Sequence, residues 1–111
     1  CYCYGFDAAF VYRKTVFCLP YTMSEYLEAG MPLTDVLRAV TETPAHLMHM
    51  DGQIGTLAPG ALADVAIMKL AEHPVHFQDL LGNSMEGNHL FVPKMTIKAG
   101  QIAYRDIEFT F

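Results

Sequence analysis

The sequence predicts an α+β chain, with helices up to about residue 50 and an antiparallel β module from there to the end. Before residue 50, apolar residues recur at the i, i+3, i+4 spacing of a helix face. After Gly52 the pattern changes to short apolar runs punctuated by Gly55, Pro59-Gly60, Gly82-Asn83, Gly87-Asn88 and Gly100. A length of 111 residues suits one core, and folding at that size buries roughly 65 % of the unfolded chain's surface.

Residues 1–17 alternate aromatic, small and polar groups around Gly5, with Ala8 to Tyr12 as a short strand. Thr22 and Glu25 have capping-box spacing, and Met23, Tyr26 and Leu27 share one helical face, so a first helix runs from Thr22 to its stop at Gly30. A second begins at Pro32 to Thr34, carries Val36, Leu37, Ala39 and Val40 on one stripe, and stops near Thr43 because Pro44 follows. A short third covers about Ala45 to Met50. The strands read as Ala63 to Leu70, Val75 to Leu81, His89 to Lys98 and Gln101 to Phe109. Pro93 cannot donate to a ladder, which places it on an edge or at a bulge.

Composition excludes several classes of function. The net charge is −5, and the 7 Lys and Arg are scattered singly, so no basic stripe faces nucleic acid or an anionic membrane. There is no basic-then-apolar leader and no apolar run near the roughly 18 residues of a membrane span. Three cysteines, Cys1, Cys3 and Cys18, make an odd set without a paired framework, which fits a reduced, cytoplasmic setting. Cys1-x-Cys3 has no second Cys pair to complete a thiolate metal site. Charged residues make up only 17 %, against about 25 % in ordinary soluble domains, while 52 % are hydrophobic. Some apolar face is therefore expected to lie against protein outside this chain, and an opening on Cys rather than Met fits that expectation of a fragment.

One stretch is more specific. Asp51 to Met68 reads Asp-Gly-Gln-Ile-Gly-Thr-Leu-Ala-Pro-Gly-Ala-Leu-Ala-Asp-Val-Ala-Ile-Met, preceded by Thr41-Glu-Thr-Pro-Ala45. Gly55 and Gly60 permit turns that other residues resist, Pro59 presets a turn, and Asp64 can accept backbone N–H bonds as the chain enters an apolar strand. This resembles the junction of metal-dependent amidohydrolases, where the last barrel helix leads into a small β domain. Leu19-Pro-Tyr-Thr-Met-Ser24 with Gly30-Met-Pro-Leu33, Phe77-x-Asp79-x-x-Gly82, and Leu90-x-x-Pro93-x-x-Thr96-Ile-Lys-x-Gly100 are similar to the dihydroorotase-like amidohydrolase/deacetylase group. The resemblance covers about residues 16 to 105.

The resemblance implies an α+β fragment: the last helices of a (β/α)8 TIM-type barrel in residues 1–50, followed by part of a small antiparallel β-sandwich domain in 51–111. It implies a parent enzyme that holds zinc or another divalent metal and hydrolyses a cyclic amide or N-acyl bond with metal-activated water. The family's metal ligands are a His-x-His, a carboxylated Lys or equivalent, two further His and an eighth-strand Asp, and only the last has a candidate in this chain. Asp7 lies 11 residues before Cys18, near where that catalytic and metal-binding Asp would stand. The family continues Asp-x-His and this chain has Asp7-Ala8-Ala9, so an ordinary loop carboxylate stays open as the other reading of Asp7.

No metal is expected in this chain alone. His46-x-x-His49 and His73-x-x-His76 have ligand-like spacing but no third partner, and read as solvated or packing residues. The expected partners are the missing N-terminal barrel segment, a small amide or N-acyl substrate in the parent, and further copies of the chain as a homo-oligomer. A non-catalytic β assembly or binding module is the alternative function.

Overall fold

The computed structural model describes residues 18–78 and 83–109, and among these residues the first helix, α1, is formed by the ten residues Leu19–Glu28. Two further helices follow, α2 (Leu33–Val40) and α3 (Glu42–Leu47), and then three strands, β1 (Val65–Gln78), β2 (Ser84–Lys98) and β3 (Gln101–Arg105). The strands form one sheet in the order β1-β2-β3. The chain divides into two compact units, Cys1–Met31 with Leu70–Val92 and Pro32–Lys69 with Pro93–Phe111, so both long strands contribute to each unit.

In the first unit, α1 starts earlier than its capping-box spacing predicts. Thr22 is not the cap; its N–H donates to Cys18 O at 3.0 Å as the first helical bond. Pro20 occupies the first turn, where its missing N–H would have had no helical partner in any case. Gly30 does terminate the helix: with φ +108° it lets Gly30 N–H reach Leu27 O and Met31 N–H reach Tyr26 O, the paired bonds of a Schellman motif. Among the described residues of this unit, Met23, Ser24, Phe77, Gly87 and Phe91 are buried.

Strand β1 joins what read as two strands, continuing through Ala71 to Pro74. It is an end strand of the sheet, where a proline is tolerated, and Pro74 is exposed there. His76 meets Glu86 while Glu72 faces His89, so β1 and β2 run in opposite directions. The expected end of the second strand at Leu81 lies outside the described residues.

In the second unit, Pro44 does not separate two helices. The break falls at Thr41 (φ −127°, ψ −79°), and α3 begins at once, with Pro44 inside its first turn, where proline lacks no helical bond. It also ends sooner than Met50. His49 adopts φ 56°, so that His49 N–H reaches His46 O and Met50 N–H reaches Ala45 O. This histidine occupies the left-handed stop position usually given to glycine. Val36, Ala45 and Met95 are buried in this unit.

Pro93 sits in the middle strand, not on an edge, and the irregularity in the sheet is elsewhere. The β2–β3 register ends at Met95↔Arg105, so Pro93 removes no bond from that register. Between Thr96↔Tyr104 and Ile97↔Ile102 the register shifts, leaving Ala103 as the extra residue on β3. Strand β3 stops at Arg105 instead of reaching Phe109, because Asp106 Oδ1 accepts Glu108 N–H at 2.8 Å and turns the chain.

Candidate functional site

Asp7, the one sequence-derived catalytic and metal-binding candidate, lies outside the described residues, as do Cys1 and Cys3. The described residues contribute two polar constructions, one in each unit.

The first ties α1 to the hairpin. Three α1 side chains at positions 21, 24 and 28 accept backbone N–H groups from the strands: Gln78 N–H to Tyr21 Oη at 3.2 Å, Phe91 N–H to Ser24 Oγ at 2.8 Å, and Asn88 N–H to Glu28 Oε1 at 3.0 Å. Ser24 is fully buried, and its hydroxyl donates in turn to Pro20 O at 2.7 Å. The Tyr21 ring meets Phe77 edge-on, with centroids 5.3 Å apart. Gly87 permits the approach, since a Cβ there would lie 2.6 Å from the Phe77 ring and 2.7 Å from Glu28 Cγ.

Glu28 is the polar centre of this tie. Its Oε1 is 2.7 Å from His89 Nδ1, and the other ring nitrogen of His89 is 3.7 Å from Glu72. Burial alone would push the Glu28 carboxyl up, but hydrogen bonds from His89 and from Asn88 N–H outweigh it and hold the carboxyl below its usual range. Nothing in the sequence pointed to this pair: its members are 61 residues apart, and His89 read as a bare strand position.

The second construction braces the β2–β3 turn. Ala99 and Gly100 have φ +49° and +78°, the pair of positive values a two-residue type I′ hairpin turn needs. Asp64 Oδ1 accepts Ala99 N–H at 2.9 Å, and Ala63 O accepts Gly100 N–H at 3.0 Å. Asp64 Oδ2 lies 2.5 Å from Lys98 Nζ, and the Lys98 and Ala99 bonds together lower the Asp64 carboxyl. Also on β2, Lys94 pairs at 3.0 Å with Asp106, just past the end of β3; the bond raises the lysine, while Glu108 N–H and Lys94 lower the aspartate. Asp64 thus accepts a backbone N–H, as its place before an apolar strand predicts, but the donor lies 35 residues further on.

The paired histidines do not converge. His46 contacts Asp51 at 2.9 Å, His49 serves as a helix stop, His73 Nδ1 lies 3.2 Å from Pro74 O, and His76 meets Glu86. Among the described residues no group of three or more His, Cys, Asp or Glu is placed to hold a metal ion, so these residues do not fit a metal centre. No described helix is long and apolar enough to cross a membrane. A cleft of about 280 Å³ in the first unit, lined by Tyr26, Ala29, Phe77 and Met85 with Glu25 and Asn83, is mostly apolar.

Residues 5–103 match the sequence profile described as the Amidohydrolase family. The chain belongs to the amidohydrolase family. It is 32 % identical over 82 residues to a deacetylase of Brucella anthropi, an alignment covering 74 % of this chain and 20 % of that protein. Among solved structures, an adenine deaminase superposes with a TM-score of 0.76 at 30 % identity, over 82 % of this chain and 24 % of its own. A dihydroorotase superposes with a TM-score of 0.66 at 26 % identity, over 77 % and 23 %. The chain therefore spans about a fifth to a quarter of the length of these relatives. The amidohydrolase motifs fall at structural joints: Leu19 to Ser24 opens α1 and supplies its buried hydroxyl, and Gly55 to Asp64 leads from the helices to the braced turn.

Proposed function

We propose that this chain supplies the C-terminal part of a metal-dependent amidohydrolase that hydrolyses a non-peptide C–N bond, in a cyclic amide or an N-acyl compound, with metal-activated water. The observation that carries the reading is the family match over residues 5–103 combined with coverage of only 20 to 24 % of each relative. Deamination of adenine and ring opening of dihydroorotate are both C–N cleavages, which supports the reaction class. In this reading residues 1–50 belong to the barrel and 51–111 to the composite β-sandwich, and Asp7 is the catalytic, metal-binding carboxylate. The zinc or other divalent metal is held mainly by residues of the remaining polypeptide, in a cytoplasmic enzyme.

The chain alone is inactive in this reading, because one candidate carboxylate does not hold a metal against water. Exposed apolar side chains support a covering partner: Leu33 and Leu37 on α2, Leu47 at the end of α3, and Leu57, which is 80 % exposed, in the junction loop.

A chimaera tests the assignment. Residues 5–103 replace the matching segment of the Brucella anthropi deacetylase, and hydrolysis is measured with and without Asp7→Asn. Retained turnover that falls at least about 100-fold on the substitution supports Asp7 as the proton-transferring group. A chimaera equally active with Asn at position 7 overturns the role of Asp7. Turnover by the 111-residue chain alone, lost on Asp7→Ala, overturns the inactivity of the isolated chain.

A further inference from the structure

We draw no further inference here: the strongest candidate, the Glu28–His89–Glu72 cluster where the C-terminal end of α1 meets the β1–β2 hairpin, belongs to the tie already described, and nothing in the structure points to a ligand or partner for it.

Discussion

Glu28 and His89 are joined by a 2.7 Å contact between the end of α1 and the first half of β2, and the same carboxylate oxygen takes Asn88 N–H. Because the folded carboxyl titrates below its unfolded value, the native state binds fewer protons than the unfolded chain across the interval between the two. The stabilisation is complete above the ordinary carboxylate range and is lost as pH falls through it toward the lowered folded value. Glu28→Gln should therefore be less stable than wild type at about pH 6–7, with a gap that narrows toward about pH 3. Urea unfolding of both proteins at a series of pH values reads this directly. Asp64 and Asp106 are lowered too and weaken both proteins alike, so the difference between the curves isolates Glu28. A gap that stays constant with pH would show that the charge of Glu28 contributes nothing.

Ser24 makes a different kind of tie, a neutral hydroxyl in a fully buried site. Ser24→Ala leaves Phe91 N–H without its acceptor, and an unsatisfied buried donor costs about 1–3 kcal/mol. Alanine's better helix propensity recovers at most a few tenths of a kcal/mol. Chemical denaturation should show the loss, and amide exchange at Phe91 should accelerate more than at neighbouring strand positions. Unchanged protection at Phe91 would mean that the bond is not maintained in solution.

The junction glycines separate two physical requirements. Gly60 has φ +93° with nothing within 4 Å of an added Cβ, so Gly60→Ala meets only backbone strain, roughly 1–2 kcal/mol. Gly55 has φ +73° and an added Cβ would lie 2.4 Å from Thr41 O, a backbone atom at the α2–α3 break. Gly55→Ala should therefore cost about 2–5 kcal/mol, strain and overlap together. Thermal unfolding of the two variants checks the order, and a Gly60→Ala loss equal to or larger than that of Gly55→Ala contradicts the close approach.

How much of this was legible in the sequence depends on the range of the interaction. Local rules placed the stop at Gly30, the helices before residue 50 and the glycine turns at 55 and 60, because each follows from backbone freedom within a few residues. They failed where a neighbour in space overrides propensity: β1 runs through Pro74 because it ends the sheet, and Pro93 sits mid-sheet because β3 does not reach it. Asp64 was legible as an acceptor but not as the brace of a turn at Ala99, and the Glu28–His89 tie was not legible at all. Family membership was legible because motif spacing from Leu19 to Gly100 survives even where single-element boundaries shift.

The open faces of the chain carry the last prediction. All five residues of β3 are exposed along the end of the sheet, with Ile102 56 % and Tyr104 49 % exposed. Leu33, Leu37 and Leu57 add exposed apolar surface elsewhere. An uncovered edge and apolar surface of this kind are templates for pairing with other protein, although the extra residue Ala103 twists the edge and limits regular pairing. The purified 111-residue chain should therefore self-associate in sedimentation and bind ANS. Ile102→Lys together with Leu57→Lys should reduce dye binding while leaving the helical circular dichroism signal in place, since both side chains are outside the buried set. A monodisperse monomer with little ANS binding would contradict the need for covering protein and favour a self-sufficient β assembly module over an enzyme segment.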